Sequence, residues 1–125
     1  MAYLRAAEQA GLAGTDLRTY GGRLLRLPGA VAHGRFARNA VVQGAAAELF
    51  KAWAATVRAG LPALGGEIVL CLHDELLLQV PLAAAGPAAA LLTDSLAATA
   101  HWWAAGSPVR FVAEVAAGPS WAEAR

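Results

Sequence analysis

Two apolar runs dominate the middle of the chain. Glu67-Ile68-Val69-Leu70-Cys71-Leu72 and Leu76-Leu77-Leu78-Gln79-Val80 are separated only by His73-Asp74-Glu75. Apolar runs this short and continuous, rich in branched residues, read as β-strands. A parallel crossover takes a dozen or more residues, so the short connection predicts an antiparallel hairpin. With almost no polar residue in either run, both faces of the hairpin are expected to be buried. Cys71 then becomes a buried, reduced thiol. A single cysteine excludes a disulfide framework and a cysteine-based zinc site, which fits a cytoplasmic protein.

Such a hairpin needs cover, and the rest of the sequence supplies it. Residues 2–13 read as a short helix ended by Gly11 and Gly14. Residues 15–28 contain Thr19-Tyr20-Gly21-Gly22-Arg23 and read as a hairpin or tight turn closed by Pro28 and Gly29. Residues 31–59 form the longest helical stretch, with Phe36, Val42, Leu49, Phe50, Trp53 and Val57 on one broad face. Gly44 within it marks a bend or a close approach to another backbone, and Gly60 and Pro62 end it. Residues 83–105 read as an Ala-rich helix and residues 109–116 as an alternating strand. The expected class is α+β, an antiparallel hairpin packed by two long helices, in one domain over 1–125.

Composition narrows the function classes. Hydrophobic residues make up 58% of the 125 and charged residues 15%, which excludes a disordered chain. A membrane span is not expected, because the stretch from Val80 to Leu92 is interrupted by Pro81, Gly86 and Pro87. Charge is asymmetric. Residues 1–60 carry eight basic and three acidic side chains, a net +5, whereas residues 61–125 carry two basic and six acidic, a net −4. A basic half suits a polyanion and an acidic half a cation. No phosphate-binding G-x-x-x-x-G-K-[ST] loop and no G-x-S-x-G serine context occurs. His33 and His101 read as surface or packing residues.

Two polar constellations stand out. His73-Asp74-Glu75 places two carboxylates and an imidazole between apolar strands, where ionised groups need a counter-charge. A divalent cation would supply it through hard oxygen ligands. Arg35, Asn39 and Gln43 recur every four residues on the long helix, spanning an arc of roughly 80°. Their side chains are of the kinds that donate to phosphates and base edges. A solvated turn and a solvated helix face are the other readings of these features.

Taken together the segments resemble a family. Arg35-Phe36-Ala37-Arg38-Asn39-Ala40-Val41-Val42-Gln43-Gly44-Ala45-Ala46-Ala47-Glu48-Leu49 resembles the R-x-x-x-N-x-x-x-Q-G-x-A-A-[DE]-L helix of family A DNA polymerases, the bacterial DNA polymerase I group. Leu70-Cys71-Leu72-His73-Asp74-Glu75-Leu76 resembles that family's motif C, whose core is HDE between apolar strands. Thr19 through Pro28 resembles its T-x-x-G-R-x-x-x-L-P segment. Glu114-Val115, Gly118, Trp121 and Ala124 resemble its closing E-V-x-x-G-x-x-W-x-x-A. The four segments stand in family order and cover nearly the whole chain.

The resemblance implies a palm segment of a DNA-directed DNA polymerase, adding deoxynucleotides to a primer 3′ end by two-metal catalysis with Mg2+. It implies that Asp74 is a metal ligand and catalytic carboxylate and that Glu75 is the carboxylate beside it. His73 is implied to contact the primer strand near its terminus. Arg35, Asn39 and Gln43 are implied to bind primer–template DNA. Deoxynucleoside triphosphates are the implied second substrate, and no membrane partner is implied. The chain departs from the family pattern at Leu24 and Leu25, where basic residues are usual, at Arg38, usually apolar, and at Val41-Val42, where a proline is usual. The family's upstream motif A aspartate strand and motif B helix do not occur in these residues. The expectation is therefore a C-terminal segment, inactive alone, with an open strand edge that favours oligomers or poor solubility. A non-catalytic DNA-binding or remnant module is the alternative reading, and a metal-dependent phosphohydrolase is a second.

Overall fold

The computed structural model describes residues 2–27 and 33–124, and its elements follow the expected order with one strand missing. Helix α1 is Ala2–Leu12. Strands β1 (Leu17–Arg18) and β2 (Leu24–Leu25) pair antiparallel, Leu17 with Leu25 and Arg18 with Leu24. Helix α2 is Gly34–Gly60, helical straight through Gly44. A 3-10 turn, Leu61–Leu64, follows it. Strands β3 (Glu67–Leu72) and β4 (Glu75–Gln79) form the second hairpin, and α3 spans Ala85–Trp103 after a 3-10 turn at Leu82–Ala84. The mixed helix and hairpin composition is the α+β class expected. The expected hairpin closure by Pro28 and Gly29 lies outside the described residues.

Contacts divide the chain into two compact units, Met1–Glu48 and Leu49–Arg125. In the first unit small residues set the packing. Ala7 and Gly11 are the buried residues of α1, and Gly34, Ala37, Val41 and Gly44 those of the N-terminal half of α2. A methyl on Gly11 would stand 2.6 Å from the Ala37 Cβ and 2.6 Å from the His33 carbonyl oxygen, so α1 and α2 meet where neither carries bulk. The Asp16 carboxylate accepts the Leu27 N–H at 2.9 Å and closes the small hairpin. Phe36 and Val42 are exposed here. The broad apolar face read along the whole helix is therefore buried only from Leu49 onward, because in the first half the close approach selects alanine and glycine positions instead.

In the second unit the core is Trp53 and Val57 of α2, Leu61 of the turn that follows, and Leu96 of α3. Pro62 is the second residue of the 3-10 turn, and Gly65, at φ +65°, ends it by donating its N–H back to the Pro62 carbonyl at 3.1 Å. A left-handed residue there is glycine's natural place. The Trp53 indole N–H donates to the Leu92 carbonyl at 3.0 Å, so a buried polar atom is satisfied across the α2–α3 contact.

The β3–β4 hairpin forms where expected, but it is not buried on both faces. Ile68, Leu76 and Leu78, with Val80, pack on the core. Val69 and Leu72 on the same hairpin are 47% and 41% exposed. The core offers a single layer, so only one face finds cover. Cys71 is exposed, not buried: it pairs with the core-facing Leu76 but sits one residue from the end of β3, next to the tip. Glu75 is the first residue of β4, paired with Leu72, so the connection has two residues and not three.

Residues 109–116 form no strand. Phe111 and Ala113 do alternate onto the core, as a strand would, while Val109 and Val112 are exposed. The alternation reports burial, but a strand also needs a hydrogen-bonded neighbour. The helix expected over 83–105 forms as α3, and it accommodates Pro87: α3 starts at Ala85, so Pro87 sits in the first turn, where a missing N–H costs nothing. The resulting segment Leu82–Trp103 is long and apolar enough to cross a membrane by length and composition alone, with Leu91, Leu92 and Leu96 on the core.

The burial pattern predicts how stability is distributed. Leu61→Ala, at 1% exposure, should cost about 2–5 kcal/mol through the cavity it leaves. Leu82→Ala, at 93% exposure, should stay within about 0.5 kcal/mol of the parent in urea titrations.

Candidate catalytic hairpin and nucleic-acid face

The hairpin tip is built by register. Glu67 pairs with Gln79 and Ile68 with Leu78; the register then shifts by one residue, so Leu70 pairs with Leu77, Cys71 with Leu76 and Leu72 with Glu75. Val69 is the extra residue of this β-bulge. A bulge bends and twists the strand that carries it and re-aims what lies beyond. Here what lies beyond is His73-Asp74. Glu75 shares its face with Leu77, away from the core-facing Leu76 and Leu78, because successive strand residues alternate.

His73 has φ +53° and is the one non-glycine residue with positive φ among the described residues. Two-residue hairpin loops need left-handed backbone to match the strand twist, and glycine, asparagine or aspartate usually supplies it. Histidine is among the side chains that tolerate this region, but the conformation costs roughly 1–2 kcal/mol in a residue with a Cβ. Strain of this kind persists only where the surroundings impose it, here the paired strands anchored on Trp53, Val57 and Leu61.

His73, Asp74 and Glu75 are all exposed. Asp74 therefore stands at a solvent-reachable tip, as expected of a group that meets a ligand. The carboxylates offer hard oxygens, the right chemistry for a magnesium ion. Among the described residues, however, no group of three or more His, Cys, Asp or Glu side chains converges on one point. Asp74 and Glu75 by themselves do not build a metal site.

In the first unit Arg35, Asn39 and Gln43 are all exposed on α2, on the side away from the buried Ala37, Val41 and Gly44. Arg38 is tied to Glu8 at 3.6 Å. Arg35 makes no ion pair among the described residues, which leaves its guanidinium available. His33 packs edge-on against Phe36 at 6.0 Å, the packing role expected of it.

The sequence reading missed the polar contact that holds this unit's hairpin to its helix. Glu48, placed off-centre on α2, accepts a hydrogen bond from the Thr19 hydroxyl through Oε1 and one from the Gly21 N–H through Oε2, the latter at 2.9 Å. The Thr19 hydroxyl in turn accepts the Arg23 N–H at 3.0 Å, and the Arg23 Nε lies 3.8 Å from Glu48. Gly44 is the close approach expected, to the Thr19 side chain and not to a backbone: a methyl there would overlap Thr19 Cγ2. The legible signal was Gly44 and Glu48 four residues apart, one helical turn on one face.

A family model, DNA polymerase family A, matches residues 28–123. The chain belongs to this family. No curated protein matches it. The match takes in the HDE hairpin, the Arg35–Gln43 stripe, Glu48 and α3, and leaves the Thr19–Arg23 turn outside it.

The strained tip makes a stability prediction for this family A segment. His73→Gly should leave the melting temperature unchanged or raise it slightly, since relief of about 1–2 kcal/mol offsets glycine's greater chain entropy of roughly 0.5–1 kcal/mol. His73→Val should lower it in the same thermal melt.

Proposed function

We propose that this chain is a palm segment of a DNA-directed DNA polymerase, carrying the carboxylate hairpin and a helix that holds primer–template DNA. The observation that carries the reading is the family match over residues 28–123, which spans a two-residue acidic hairpin tip held out on a packed core. The reaction would join a deoxynucleoside triphosphate to a primer 3′ hydroxyl.

In this reading Asp74 contributes one carboxylate to a magnesium ion whose other ligands are not grouped among the described residues. Magnesium, when bound, would neutralise charge on the phosphates and lower the proton affinity of the attacking hydroxyl. Glu75, beside it on β4, adds negative potential at the tip. His73, exposed on its left-handed backbone, donates to the primer strand. Arg35 donates to a phosphate, while Asn39 and Gln43 reach minor-groove acceptors. Those acceptors are nearly the same for every base pair, so such contacts sense pairing geometry without reading sequence.

A second reading is favoured by the lack of a converged donor set: a module that binds DNA and does no chemistry. The same lack counts against a phosphohydrolase, which needs several grouped ligands. Metal binding at the tip of the purified chain separates the first two. Manganese broadening at Asp74 that Asp74→Asn removes supports the polymerase segment, and duplex binding without it supports the module.

Two further outcomes are expected. Arg35→Ala should weaken primed-duplex binding by about 1–3 kcal/mol at fixed salt. Manganese titration followed by NMR should broaden Asp74 and Glu75 selectively and only at high metal concentration, with the effect lost in Asp74→Asn. Equal broadening in that variant would remove Asp74 as a ligand.

A further inference from the structure

The Thr19–Arg23 turn is more tightly specified than a surface hairpin needs to be. Thr19 is 4% exposed, and the Glu48 side chain is 16% exposed. The Glu48 carboxylate takes both the Thr19 hydroxyl and the Gly21 N–H. The turn also closes on itself, with the Thr19 N–H donating to the Arg23 carbonyl and the Gly22 N–H to the Thr19 carbonyl, each at 3.0 Å. Gly44 leaves room on the helix, and a methyl there would lie 3.1 Å from the Arg23 Nη2. The Arg23 guanidinium therefore lies along α2 next to Gly44, immediately after Gln43 in sequence. Its side chain remains 56% exposed, and its contact to Glu48 is a single 3.8 Å approach through Nε. That leaves the Nη edge for another acceptor.

We propose that Glu48 is a positioning residue for DNA binding: it latches the Thr19–Arg23 turn onto α2 and so presents the Nη edge of Arg23 to a backbone phosphate. The proposal rests on the DNA reading above and concerns how Arg23, the arginine of the T-x-x-G-R segment, is held in place. The logic is one of geometry against charge. An acidic side chain near a polyanion site lowers affinity by simple electrostatics, so its removal should tighten binding. A latch predicts the reverse, because a free turn spreads the arginine over many positions and its ordering must be supplied on binding.

The test is fluorescence anisotropy of the full chain with a labelled primed duplex, at several salt concentrations. Glu48→Gln removes a charge and one acceptor. Thr19→Val removes the hydroxyl and changes no charge. Each should weaken binding several-fold, up to roughly tenfold, and lower the log–log salt slope by about 0.9, the loss of one phosphate contact. Thr19→Ser keeps the hydroxyl and should restore both. Arg23→Ala should weaken binding to a similar degree and abolish any further effect of Glu48→Gln, since the two act as a unit. The Gly21 amide, which donates to Glu48, should exchange faster in Glu48→Gln than in the parent.

Tighter binding in Glu48→Gln with no change in Thr19→Val would overturn the latch and leave Glu48 a mere charge. Duplex binding by the parent that none of the four variants alters would overturn it while sparing the DNA reading. No salt-dependent duplex binding by the parent would sink the DNA reading and the positioning role together, and a protected Gly21 amide would then mark the contact as structural only.

Discussion

The burial of one face of the β3–β4 hairpin against Trp53, Val57, Leu61 and Leu96 is the contact on which the acidic tip depends. A two-stranded hairpin alone in water is marginal at best. Laid on a core by Ile68, Leu76 and Leu78, it becomes a rigid arm, and the cost of holding His73 in left-handed backbone can then be met. The bulge at Val69 decides the register between that core and the tip. Without it, the residues beyond would swap faces, because a one-residue slip inverts every side chain.

The first unit reaches order by a different route. Its hairpin has only two residues per strand, and the residues of α2 that meet it and α1 are small. Little apolar area is available there. A carboxylate takes over: Glu48 accepts two donors from the turn and lies beside a third, Arg23. Bonds of this kind are stronger than neutral ones and carry direction as well as energy. They also use up charge. Glu8 and Glu48 each face an arginine, and Asp16 caps Leu27. The acidic side chains of this unit are thus engaged internally, while Arg35 is left unpaired among the described residues.

Much of this was legible in order and little of it in depth. The hairpin was readable because two apolar runs three residues apart have few other ways to fold. Its exposure was not, since a run of leucines states what could be buried and not what is available to bury it. Cys71 follows a related rule: its apolar neighbours in sequence suggest burial, yet next to the tip even the core-facing side of the hairpin runs out of cover. Residues 109–116 alternate like a strand and lie on the core like one, yet find no partner to bond. The stripe of Arg35, Asn39 and Gln43 was read correctly as an exposed face, because helical spacing alone places it. Glu48 was overlooked because its partners are 29 and 27 residues away, and no local pattern announces them.

The sequence by itself determined the helices and hairpins, their order and the family, since periodicity, turn chemistry and motif spacing are local properties that a linear reading captures. It also determined the chemistry on offer, with carboxylates at one turn and amide and guanidinium donors on one helix. Only the tertiary structure decided which of two apolar faces is covered, that Glu75 belongs to a strand and that Gly44 makes room for Thr19 and Arg23. It alone also decided that Glu48 spends its charge on the Thr19–Arg23 turn. These are outcomes of competition among distant groups for limited space and limited partners, and that competition has no representation along the chain until the chain has folded.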